Sequence, residues 1–104
     1  MVYEIPVACK LVSVKERHTT PETTAGTLTA MVKKVPSGTA IAGGTDTLAA
    51  GINMKATANT KQEPALHATA ANYTFAAGDG VGALLSGAAT ELAKEALTLE
   101  FQRV

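Results

Sequence analysis

The sequence predicts an all-β protein: a single antiparallel β-sandwich or jelly-roll-like domain of about six to eight short strands. Three observations carry that expectation. Apolar residues recur with period two in short runs, clusters of Gly, Pro and Asn interrupt those runs at close intervals, and helical periodicity is nearly absent. At 104 residues the chain makes one domain, residues 1–104, with no room for a second.

The first strand region spans residues 5–16. Ile5, Val7, Cys9 and Leu11 alternate, and the apolar set then slips by one to Val12 and Val14. A one-residue slip turns side chains to the opposite face, so a bulge or a change of sheet is expected near Leu11. Pro6 cannot donate to a ladder and suits a strand start or an edge. Ahead of it, residues 1–6 carry Val2, Tyr3 and Ile5, the candidate interface residues. They form either an extended N-terminal arm that orders against a neighbour by β-addition, or a terminal strand of the chain's own sheet or a frayed end.

Residues 18–26 read as a Thr-rich loop. In the next strand Leu28, Ala30 and Val32 alternate with Thr27, Thr29, Met31 and Lys33, which gives one apolar and one polar face. Pro36-Ser37-Gly38 and Gly43-Gly44 are turn signals. A short helical turn is expected over residues 46–50, a third strand over 52–56 and a fourth over 66–69, with residues 72–75 continuing it or lying in a loop. Ala77-Gly78-Asp79-Gly80 is a tight turn, because glycine tolerates positive φ and Asp caps the turn. Residues 81–85 form the next strand, closed by Ser86-Gly87. Residues 88–96 are good helix formers in a run too short for an independent helix, and read as a loop with one or two helical turns. The last segment, Leu97 to Val104, is the clearest strand: Leu97, Leu99 and Phe101 share one face, Thr98, Glu100 and Gln102 the other.

Composition narrows the function. Hydrophobic residues make up 46% of the chain, but 20 of them are alanine, 15 further residues are threonine, and there is no Trp. Thr falls on outward positions such as 27, 29 and 98, and Ala on inward positions such as 30, 68 and 83. That arrangement describes a thin, close-packed sandwich with neutral faces, from which extra burial at an interface is expected. Nine Lys and Arg balance nine Asp and Glu, so no footprint for nucleic acid or an anionic membrane is visible, and self-association meets little charge repulsion. One cysteine excludes an intramolecular disulfide framework and a multi-cysteine zinc site. The N-terminus lacks a secretory signal and no stretch is long enough to span a membrane, so synthesis in a reducing cytoplasm is expected.

No catalytic, cofactor-binding or metal-binding constellation emerges. His18 and His67 lack metal-ligand spacing and read as ordinary surface or edge histidines. Cys9 lies in an apolar strand without a His partner, as a small buried hydrophobe does. The glycines at 78, 80 and 82 do not form a dinucleotide-binding phrase. Asp46, Asp79, Glu91, Glu95 and Glu100 are scattered, and Lys33-Lys34 reads as a solvated strand end. A non-enzymatic protein without cofactors is the expectation.

The order of segments resembles a group of small virion structural proteins of tailed bacteriophages. The phrases that carry the likeness are Cys9-Lys10-Leu11-Val12-Ser13-Val14, Gly26-Thr27-Leu28-Thr29 leading to Val32-Lys33, Gly44-Thr45-Asp46-Thr47-Leu48-Ala49, Lys55-Ala56-Thr57-Ala58-Asn59-Thr60, Phe75-Ala76-Ala77-Gly78-Asp79, and a final strand ending in a basic residue and Val. The chain departs from the group at residues 90–96, where a Lys/Glu-bearing stretch replaces an apolar connection. The resemblance implies a virion location and a capsid decoration, cement or head-fibre role. Its implied partner is the major capsid protein or another virion protein, and its implied assembly is a homo-oligomer, commonly a trimer. A competing reading is a glycan- or receptor-binding module of a fibre or tail, for which Tyr3, Tyr73, Phe75 and Phe101 are the only available rings.

Overall fold

The computed structural model describes residues 2–19, 28–87 and 96–104. Eight strands lie among them: β1 (Val2–Glu4), β2 (Cys9–Arg17), β3 (Leu28–Val35), β4 (Thr45–Asp46), β5 (Ile52–Asn53), β6 (Thr74–Phe75), β7 (Gly80–Gly87) and β8 (Ala96–Arg103). They form two antiparallel sheets. One runs β1-β7-β3, with β4 and β5 both paired to the far side of β3; the other runs β6-β2-β8. The core joins the two layers, with Leu28, Val32 and Ile52 from the first sheet meeting Leu11, Val14 and Phe75 from the second. The all-β sandwich is the architecture that the period-two pattern predicts.

The slip in the first strand is a bulge. β2 pairs with β8 from Cys9↔Arg103 to Arg17↔Ala96, and the register shifts between Leu11 and Ser13. Val12 is the extra residue and points out to solvent, so it does not share the inward face of Val14 as the alternation suggested. Before the bulge, Cys9 and Leu11 face the core; after it, Val14, Glu16 and His18 do.

β3 follows the expected alternation at Leu28, Ala30 and Val32, all buried, while Val35, out of phase with them, is buried at the strand's end. The turn at 76–79 also forms as expected. Gly78 has φ +92°, the amide of Asp79 donates to the carbonyl of Ala76, and the Asp79 carboxylate accepts from the amide of Ala76 at 2.9 Å.

The middle of the chain departs from the expectation. Residues 46–50 make no helical turn: Thr45–Asp46 is strand β4, and Thr47 donates from both its amide and its hydroxyl to the carbonyl of Val32. The 3-10 turns fall instead at Ile41–Gly43 and Ala70–Tyr73. The third strand is only Ile52–Asn53, and the proposed fourth shrinks to an isolated bridge between Leu48 and Leu66. β4 and β5 share one side of β3, at Lys33–Lys34 and Thr29–Ala30, so neither runs far along it. Residues 88–95 and most of the Thr-rich loop at 20–26 lie outside the described residues.

Candidate interaction surface

Among the described residues the sandwich is open along one side. β1 and β7 form that side of the first sheet, and β8 is the facing edge of the second. On β7 the residues that share the inward face, Val81, Ala83 and Leu85, pass from buried to exposed along the strand. On β8 the apolar face predicted from the sequence is only partly covered: Leu97 and Phe101 are each 37% exposed, and Leu99 packs partly against the core. Between them runs an apolar cleft of about 490 Å³, walled by Tyr3, Val81, Leu99 and Phe101, with Glu4 and Arg103 also lining it. A second hollow of about 300 Å³ is lined by Tyr3, Ala83, Leu97 and Leu99. Phe101 reaches the core through an edge-to-face contact with Phe75, ring centroids 5.7 Å apart. Alanine at 83 does not draw the sheets together; it faces the open side, and Ala68 is exposed in a bend outside any strand.

The three candidate interface residues separate. Tyr3 pairs with Val81 in the β1–β7 ladder and is 65% exposed at the cleft. Val2, one position along, lies on the opposite side of β1, where Val2 Cγ1 approaches Gly80. Ile5 is buried in the chain's own core, its amide donating to the carbonyl of Asp79 and its carbonyl accepting from the amide of Gly78. Residues 2–4 are therefore an edge strand of their own sheet, with one side of the strand unpaired among the described residues.

A buried polar cluster is the feature that sequence reading missed. His18 is fully buried, not a surface histidine. Its Nδ1 lies 2.8 Å from Glu16 Oε2 and its Nε2 lies 2.7 Å from the carbonyl oxygen of Ala56. A carbonyl only accepts, so Nε2 carries a proton, and a second proton is held between Nδ1 and the carboxylate. Gln62 Nε2 donates to Glu16 Oε1 and to the carbonyl of Asn53, and the backbones of residues 16 and 62 exchange two hydrogen bonds. Asn59, at φ 59°, donates its amide to the carbonyl of His18. These contacts fasten the 53–62 segment to β2 and form a structural joint, and Glu16 also lines a hollow of about 310 Å³ with Lys15, Arg17, Lys61 and Thr98. The bulge at Val12 was the signal in the sequence, since it is what turns Glu16 and His18 inward.

Cys9 is buried, and burial pushes its thiol pKa up, away from the reactive thiolate. His67 is half-buried, with Nδ1 accepting from the amide of Thr69. Lys33 pairs with Asp46, and Lys34 donates to the carbonyls of Ala71 and Thr74, so this basic pair holds neighbouring segments in place rather than standing in solvent. Among the described residues no three His, Cys, Asp or Glu side chains come together to hold a metal ion.

No protein-family model matches the chain, and no curated protein or solved structure matches it.

Proposed function

We propose that the protein is a non-enzymatic virion structural protein, a capsid decoration or cement protein that binds the shell surface and stabilises the particle. The observation that carries this reading is the open side of the sandwich, where Tyr3, Leu85, Leu97 and Phe101 leave apolar surface in water beside two strand edges that are unpaired among the described residues. A small domain gains stability by covering such a surface, and main-chain pairing to an edge needs no sequence-specific pocket. The neutral charge and the resemblance of the sequence phrases to small phage virion proteins agree with that use. The glycan-binding alternative draws less support from the rings: Phe75 is buried and Tyr73 is half-buried against the core.

Purified protein is expected to co-sediment with capsids of its cognate tailed phage and to raise the temperature at which they open. Tyr3→Ala should weaken both effects while leaving the circular dichroism spectrum unchanged. Absence of co-sedimentation with both immature and expanded capsids overturns the reading.

A further inference from the structure

We infer that β8 is a self-association edge: two copies pair their β8 strands antiparallel about a two-fold axis centred on Leu99, joining two three-stranded sheets into one of six strands.

The strand edges differ in length. β1 has three residues, and β4, β5 and β6 have two each. Edges that short offer a neighbouring chain little to pair with. β8 has eight residues, Ala96–Arg103, pairs among the described residues only with β2, and contains no Pro and no Lys. The bulge in the β2–β8 ladder puts its extra residue on β2, so β8 itself is uninterrupted. Long, regular edges with an apolar face are the ones that recruit another strand.

The occupant follows from what a second copy has to offer. β2, β3 and β7 each have partners on both sides over part of their length, with β1 reaching only Gly80–Gly82 of β7 and β6 only Cys9–Lys10 of β2, so among the described strands β8 is the one long strand with a side free along its whole length. A three-fold ring would have to join β8 to a different edge of the next copy, either one of the strands of two or three residues or the five residues Ala83–Gly87 of β7 beyond β1, all shorter than the seven-residue overlap of β8 with itself. A two-fold axis joins β8 to itself.

The sequence of β8 selects the register. With Leu99 opposite its symmetry mate, Leu97 faces Phe101 of the other copy, Thr98 faces Glu100, and Ala96 faces Gln102. Apolar residues then meet apolar residues on one face, and no like charges stand opposite. Centring the axis on Glu100 would set two carboxylates directly across from one another. Centring it on Thr98 shortens the overlap within β8 from seven residues to five and leaves Phe101 without a partner in the strand. In the favoured register each Glu100 keeps its bonds to Ser13 and Lys15 of its own chain. The partly exposed Leu97 and Phe101 gain cover from their counterparts.

The pairing goes beyond the virion reading, since it holds whatever surface the dimer docks on. Sedimentation equilibrium of the full chain, without capsids, is expected to give about twice 10.6 kDa. Thr98→Glu, which sets a carboxylate across from Glu100 of the other copy, should raise the dimer dissociation constant at least about ten-fold, and Thr98→Lys should lower it. Within one chain Thr98 pairs with Lys15, so intrachain charge effects run the opposite way. Under mild oxidation Leu99→Cys should cross-link as a dimer, because directly opposed Cα atoms lie about 4.5–5.5 Å apart. Leu97→Cys should not, being four positions from its own mate. A monomeric or trimeric mass, or equal cross-linking of both cysteine variants, overturns the inference. Failure to bind capsids with the dimer intact would overturn only the virion reading.

Discussion

Glu16 Oε2 meets His18 Nδ1 at 2.8 Å in a pair that solvent barely reaches, the two side chains being 2% and 0% exposed. Glu16 on β2 and His18 just past its end both face inward because the extra residue at Val12 shifts the alternation. An acid and an imidazole at core positions are costly unless each polar atom is met, and no buried side-chain nitrogen or oxygen among the described residues lacks a partner. The pair and Gln62 together fix the 53–62 segment across the end of β2.

Removing one member should therefore cost more than removing both. Glu16→Ala leaves the imidazole against an empty site, and a loss of about 3–5 kcal/mol in urea unfolding is expected. The double change Glu16→Leu with His18→Phe fills the same space with apolar groups and should come within about 1 kcal/mol of the parent. A single variant as stable as the double one would show that water reaches the pair.

The bulge makes a second prediction. Val12 points to solvent and Val14 is fully buried, two positions apart on one strand. Val12→Ala should change stability by less than about 0.5 kcal/mol. Val14→Ala removes two buried methyl groups and should cost about 2 kcal/mol. Deleting Val12 removes the extra residue and brings Leu11 and Ser13 side by side opposite Phe101 and Glu100, so the deletion variant is expected to fold with Val14, Glu16 and His18 still facing inward. Equal effects of the two alanine changes in chemical denaturation would contradict this register.

These features mark how far the sequence could be read. The long strands were legible because their alternation is strong and their turn signals local: Leu28-Ala30-Val32, the Gly78-Asp79 turn and Leu97-Leu99-Phe101 all fall where the pattern puts them. The slip near Leu11 was legible as an irregularity, but its consequence for Glu16 and His18 was not. The partners that make burial tolerable, Gln62 and the carbonyl of Ala56, lie 46 and 38 residues away. Residues 46–69 misled because two-residue strands carry too little periodicity, and their conformation is set by contacts with β3. The open side of the sandwich was hidden for a related reason. An apolar face announces burial, and only the sheet order shows that nothing in the described chain completes it.

Gly80 gives a test of how β1 is held. A Cβ at this position would lie 2.5 Å from Val2 Cγ1 and 3.1 Å from the carbonyl oxygen of Val35. Gly80→Ala should push β1 off β7 at a cost of about 1–3 kcal/mol, with faster amide exchange in residues 2–4 than elsewhere. Trimming the other side of the clash with Val2→Ala should recover part of the loss, a coupling that a double-mutant cycle measures. Exchange that speeds up uniformly across both sheets would mean that β1 is not a separable edge.

The ion pair between Lys15 and Glu100 sets a pH dependence. Glu100 Oε1 accepts from Lys15 Nζ at 2.5 Å and from Ser13 Oγ at 2.6 Å. The bond from Lys15, then that from Ser13, holds the Glu100 carboxyl below its ordinary pKa, and the same bond to Glu100 raises the Lys15 ammonium above its own. A carboxyl whose folded pKa is depressed contributes stability that is present above the unfolded pKa and lost as pH falls through the folded one. A lysine whose folded pKa is raised contributes stability that is present below the unfolded pKa and lost as pH rises through the folded one. The contribution thus spans the neutral range and disappears at both extremes. Both side chains are well exposed, so it is small and screened by salt. The stability gap between the parent and Glu100→Gln should close on acidification through the carboxylate range and shrink in high salt at neutral pH. A gap that persists in strong acid would mean that glutamine at 100 disturbs packing on β8 rather than charge.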